Sequence, residues 1–130
     1  MSHRAFGERF FAALNSGDLQ TVGGMLAPDF FVLEPDGLPY AGCYRGLDGW
    51  RELAKAVLKT WAGFKIHPLE YLGETTDTLV VRFALSGRSR KTGKTFETTV
   101  LELWRFRGPQ LCEIRPYYWD TRHLADLDGP

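Results

Sequence analysis

The sequence predicts an α+β fold, with helices packed on one face of a curved antiparallel sheet. Helical periodicity is confined to the first half of the chain, ending near Trp61. Beyond Gly63 the chain reads as alternating strand segments separated by glycine and proline turns. No internal repeat or linker divides the 130 residues, so a single domain is expected over 1–130. Helices first and long strands afterwards are the pattern of an α+β domain.

Taken in order, Phe6, Phe10, Ala13 and Leu14 recur at helical spacing, and Gly17 ends this first helix. Asp18 is placed to cap a second helix carrying Leu19, Val22, Met25 and Leu26, weakened by Gly23-Gly24 and closed by Pro28. Asp29 to Glu34 reads as a strand whose run Phe30-Phe31-Val32-Leu33 is too continuously apolar for a surface. Pro35 lacks an N–H and fixes φ, so the strand stops there and leaves the Glu34 carboxyl at its end. Asp36-Gly37 and Pro39 turn the chain, and Tyr40 to Gly46 holds at most one short strand. The strongest helical signal follows: Trp50, Leu53, Ala54, Val57, Leu58 and Trp61 share one face, with Arg51, Glu52, Lys55 and Lys59 opposite.

Four strands then follow. Phe64–Glu74 contains Pro68, a mark of a bulge or an edge. The next alternates Leu79, Val81, Phe83 and Leu85 with Val80, Arg82, Ala84 and Ser86, as a half-buried strand does. Thr92-Gly93 turns it into Thr95–Arg107, and Gly108-Pro109 leads on to Leu111–Asp120. Asp126 to Pro130 reads as a frayed tail.

Composition excludes several classes of function. Sixteen basic and sixteen acidic residues cancel, which gives no field for nucleic acid or an anionic membrane. Cys43 and Cys112 stand in unlike contexts and read as reduced thiols, and the N-terminus lacks an apolar signal core, so a cytoplasmic location is expected. Gly87 to Thr95 nearly spells a phosphate-binding loop, but five residues separate Gly87 and Gly93, and the segment joins strand to strand. A hairpin turn is expected there, because a phosphate loop needs a helix N-terminus. His3, His67 and His123 stand far apart, neither cysteine has ligand spacing, and no Gly-x-Ser-x-Gly elbow is present. Aromatics make up 14% of the chain, enough to serve either as core or as the lining of an apolar pocket.

Arg9-Phe10-Phe11-Ala12-Ala13-Leu14-Asn15-Ser16-Gly17-Asp18-Leu19, Ala27-Pro28-Asp29 and Glu34-Pro35-Asp36-Gly37-Leu38-Pro39-Tyr40-Ala41-Gly42 together resemble the ketosteroid isomerases. Those enzymes belong to the nuclear transport factor 2-like superfamily, which also holds the SnoaL-like polyketide cyclases. The resemblance runs from about Arg4 to Asp120 and leaves a core of about 4–122. It implies a cone in which a bent antiparallel sheet and three helices enclose one pocket.

Carried onto this chain, the resemblance makes Glu34 the base that moves a proton between carbons. Glu102, in Val100-Leu101-Glu102-Leu103-Trp104, falls where the isomerases keep a neutral carboxylic acid as hydrogen-bond donor to the enolate oxygen; ketosteroid isomerase is a standard instance of that device. Alternation puts Glu102 beside Thr98, Val100, Trp104 and Phe106, apolar company that favours the neutral form. The isomerases carry a tyrosine donor in the first helix, where this chain has Phe10; Tyr40, Tyr44 or Tyr118 could supply the hydroxyl from another wall. The ending Glu113-Ile114-Arg115-Pro116-Tyr117-Tyr118-Trp119-Asp120 resembles the SnoaL-like one, which makes Asp120 an accessory acid or base. Next to Thr121, Asp120 serves equally well as a helix N-cap.

The expected pocket lining is Phe10, Leu14, Tyr40, Trp50, Leu53, Val57, Val100, Trp104 and Tyr118. The implied activity is proton transfer on a small apolar carbonyl compound, as a double-bond isomerase or an aldol-type cyclase, with no metal or organic cofactor. The alternative is a non-catalytic dimeric protein that binds a small apolar ligand. Superfamily members commonly dimerise through the outer sheet face, for which Arg115, Tyr117 and Trp119 are the candidates.

Overall fold

The computed structural model describes residues 2–129. The first helix, α1 (His3–Ser16), opens where the Ser2 hydroxyl accepts the Ala5 N–H at 3.0 Å, and it closes on Gly17 at φ 72°. Asp18 caps α2 (Leu19–Met25) through the Thr21 N–H. Then come β1 (Leu26–Glu34), β2 (Gly42–Arg45) and α3 (Gly46–Thr60). Strands β3 (Trp61–Glu74), β4 (Thr78–Ser89), β5 (Thr95–Arg107) and β6 (Gln110–Tyr118) follow, and α4 (Thr121–Leu127) ends the chain.

The six strands form one curved, unclosed sheet in the order β2-β1-β6-β5-β4-β3. All neighbours are antiparallel except β1 and β6, which run parallel and join the two ends of the chain. β3 is an outer strand, and its register with β4 shifts at Pro68/Glu70, so Pro68 marks both an edge and a bulge. The inward row of β4 is the predicted one, with Leu79, Val81, Phe83 and Leu85 all buried. On β5 the buried row holds Phe96, Val100, Trp104 and Phe106. α3 packs on β1 and β2, an approach that requires Gly49: a Cβ there would lie 2.7 Å from the Tyr44 carbonyl carbon.

Several boundaries differ from those the sequence suggests. β1 begins at Leu26 rather than Asp29 and runs through Pro28, because the register with β6 slips between Leu26 and Phe31 and asks no ladder bond of the proline. Trp61 lies outside α3. The chain is already extended there (φ −114°, ψ 130°), and Gly63 at φ 61° turns it along the sheet, so Trp61 is fully buried as the first residue of β3. The tail is a helix up to Leu127 rather than frayed from Asp126, since α4 buries Leu124 and Leu127 against the core. The Gly87–Thr95 segment is the expected hairpin between β4 and β5.

Candidate functional site

Between the concave face of the sheet and the helices lies a cavity of about 490 Å³. α1 contributes Phe10, Phe11, Leu14 and Asn15; α3 contributes Trp50, Leu53, Ala54, Val57 and Leu58. Phe64 and Ile66 come from β3, and Phe83 and Leu85 from β4. Three adjacent strands, β1, β6 and β5, supply the titratable groups: Glu34, Tyr118 and Glu102. The volume lies within the range of small-molecule pockets, roughly 300–1,000 Å³.

Glu34 is only 5% exposed. Its position at the end of β1, just before Pro35, aims the carboxyl inward opposite the apolar helices. Tyr118 donates its hydroxyl to Glu34 Oε2 at 3.5 Å. Burial raises the Glu34 carboxyl from 4.5 to about 8; the charge of Glu102 adds to the rise and the Tyr118 bond opposes it. Glu102 sits two residues before Trp104 on the same face of β5, and the Trp104 indole N–H donates to its Oε1 at 2.8 Å. Burial lifts this carboxyl to about 7, against the pull of the indole bond.

A chain of donors stands behind Glu34. The Trp61 indole N–H donates to the Tyr40 hydroxyl at 3.1 Å, and the Tyr40 and Tyr118 hydroxyls lie 3.5 Å apart. With the indole proton occupying one Tyr40 lone pair, Tyr40 can pass its own proton toward Tyr118, which donates to Glu34. Burial pushes the Tyr118 phenol well above its ordinary value, and the nearby Glu34 charge pushes it further, so it stays a donor.

Of the predicted lining, Phe10, Leu14, Trp50, Leu53, Val57, Trp104 and Tyr118 meet at the cavity with Glu34 and Glu102. Tyr40 and Val100 are buried but sit behind the wall, Tyr40 within the donor chain and Val100 in the core. Asp120 is not brought to the cavity. β6 ends at Tyr118, and Asp120 caps α4 by accepting the His123 N–H at 2.9 Å from an exposed position. The Tyr44 hydroxyl is committed to the Tyr40 carbonyl oxygen at 2.9 Å, so among the three candidate tyrosines it is Tyr118 that reaches Glu34. Phe10 packs edge-on to Trp104 and Trp50, with centroids 5.1 and 5.5 Å apart, and offers no donor.

Sequence inspection missed Phe64, Ile66, Phe83 and Leu85 as lining, although the alternation in β4 carried the signal for half of them. It also missed Trp61, which no local pattern could link to Tyr40. Among the described residues, no group of three or more His, Cys, Asp or Glu side chains could hold a metal. No helix there is long and apolar enough to cross a membrane, and both cysteines are free.

Residues 7–114 match the SnoaL-like domain, and the chain belongs to that family. A search of curated proteins finds no match. Among solved structures, an NTF2-like protein from Burkholderia thailandensis is 27% identical; the match covers 93% of this chain and 92% of that one, with a TM-score of 0.84. An NTF2-like protein of unknown function from Burkholderia pseudomallei is 25% identical over the whole of both chains, with a TM-score of 0.86. A hypothetical protein with a ketosteroid isomerase-like fold from Catenulispora acidiphila, solved in complex with trimethylamine, is 15% identical. That match covers 92% of this chain and 88% of the other, with a TM-score of 0.74, and shows a shared fold.

Proposed function

We propose that this chain catalyses proton transfer on a small apolar carbonyl compound, in the manner of an isomerase or a cyclase, with Glu34 and Glu102 as the acid–base pair. The observation that carries this is two carboxyls held in one apolar cavity, both raised toward neutrality. One carboxylate removes the proton α to the carbonyl. The other, neutral, donates a hydrogen bond to the enolate oxygen, and the first returns its proton to the new carbon.

The hydrogen bonds favour one division of labour. Glu102 receives the short indole bond, whereas Glu34 receives only the long Tyr118 bond. The indole N–H stabilises the charged form of Glu102, and the charge of Glu102 opposes ionisation of Glu34, so the shared proton is favoured on Glu34. On this reading Glu102 is the base and Glu34 the donor, the reverse of the order implied by family resemblance. Asp120 has no part in the step, and Tyr118 steadies Glu34.

The test is isomerisation of an unconjugated enone, followed by the ultraviolet absorbance of the conjugated product. Glu102→Gln should lower turnover by about 10²-fold or more, the usual worth of a general base. Glu34→Gln, whose amide can still donate, should keep the larger residual activity. Equal, full turnover in both variants would remove the pair from the chemistry. A second function, non-catalytic binding of a small apolar ligand, is favoured by Phe10 in place of a donor tyrosine; it predicts ligand binding without turnover. For either function we propose a homodimer through the outer sheet face, supported by the exposure of Leu101, Tyr117 and Trp119 there.

A further inference from the structure

The charge inventory of the cavity is one-sided. Of sixteen Lys and Arg residues in the chain, none lines it, and neither does any histidine. Glu34 faces it from β1, Glu102 from β5 and the Tyr118 phenol from β6; the lining of α1, α3, β3 and β4 carries no titratable group. The Tyr40 and Tyr44 phenols lie close behind Glu34 and are kept neutral by burial. Carboxyl oxygens in such a place lack a counterion, and a buried acid without one keeps its proton. The rest of the wall is aromatic. Phe10, Phe11, Trp50, Phe64, Phe83 and Trp104 all border the space, and ring faces attract a desolvated cation.

We infer that the cavity selects a hydrophobic monocation: an apolar amine whose ammonium sits at Glu34 and Glu102 and whose body lies against the aromatic wall. One positive charge relieves the repulsion between the two carboxylates and makes up for the water they have lost. A neutral ligand of the same shape does nothing to offset the charge of the pair and gains only apolar contact. An anionic ligand adds a further negative charge to the same space and is excluded. Binding the cation therefore expels protons from the pair, and affinity rises with pH until both carboxyls are ionised. The inference concerns the charge of the ligand and holds whether or not the ligand is turned over, so its failure and that of the proton-transfer proposal are separate results.

Benzyltrimethylammonium is a suitable probe, because its charge is permanent and does not titrate. Its carbon isostere neopentylbenzene is the uncharged control, with binding followed by tryptophan fluorescence from Trp50 and Trp104. Affinity for the cation should rise by about tenfold or more from about pH 6 to about pH 9, while that of the isostere stays flat. Calorimetry of the cation at about pH 7, in two buffers of unlike ionisation enthalpy, should report release of roughly one proton per molecule bound. Glu34→Gln and Glu102→Gln, each checked for native circular dichroism, should each reduce the pH dependence, and the double variant should abolish it. A cation that binds no tighter than the isostere at the higher pH, or that does not bind at millimolar concentration, overturns the inference. So does an affinity that is independent of pH.

Discussion

Glu34 and Glu102 place a cost on the fold that depends on pH. Both carboxyls lie above their ordinary value in the folded chain, at about 8 and about 7 against 4.5. The folded protein therefore holds protons that the unfolded chain releases, and stability falls as pH rises through that window. The contribution is fully present below about 4.5 and fully lost above about 8. Glu34→Gln, which cannot ionise, should melt above the parent protein at about pH 9 and lose that advantage at about pH 5, as read by thermal denaturation across pH. The sequence made these residues legible in unequal ways. Glu34 stood out because Pro35 had to end its strand, and Glu102 because an acid on the apolar side of an alternating strand needs a reason. The pattern at Asp120-Thr121 fitted two roles equally well, and in the structure Asp120 caps α4 and stands apart from the cavity. The link from Trp61 to Tyr40 joins residues 21 apart across two elements, and no spacing rule reaches it.

At the scale of elements, α4 is tied down at both ends. Asp120 caps its start, and at its far end the buried Ser89 hydroxyl donates to the Asp128 carboxylate at 3.1 Å. The same Ser89 oxygen accepts the Lys91 and Thr92 N–H groups in the β4–β5 turn, and the Thr92 hydroxyl donates to the Leu127 carbonyl oxygen at 2.8 Å. The segment that resembled a phosphate loop is thus a socket for the end of α4. Ser89→Ala strips partners from two turn amides and a buried carboxylate and should cost about 1–3 kcal/mol in denaturant unfolding. Asp120→Ala loses only the cap and should cost about 0.5–2 kcal/mol, with no change in ligand binding. Helices and strands showed in the sequence wherever periodicity was long, as in α3 and β4. α4 did not, because seven residues with two buried leucines are too short to display a period.

Across the whole molecule, the convex face of the sheet contrasts with the concave one, which the helices cover. Leu101 pairs with Tyr117 and Leu103 with Arg115 across β5 and β6, and Leu101, Tyr117 and Trp119 are 40%, 56% and 84% exposed. If two copies meet there, Leu101→Asp combined with Tyr117→Asp should convert a dimer into a monomer in sedimentation velocity while leaving the circular dichroism unchanged. A parent protein that sediments as a monomer would remove the proposal.

The parallel pairing of β1 with β6 has a consequence for synthesis. β6 lies between β1 and β5, so the first strand cannot join the main sheet until β6 has been made. On the ribosome, the hairpin of β1 and β2 must wait beside a completed β3–β4–β5 meander, both with open edges, until residue 118 clears the exit tunnel. The two carboxyls come from the strands on either side of that late arrival. The cavity is therefore assembled when β6 docks, and a chain stopped before β6 would carry both glutamates but never bring them together.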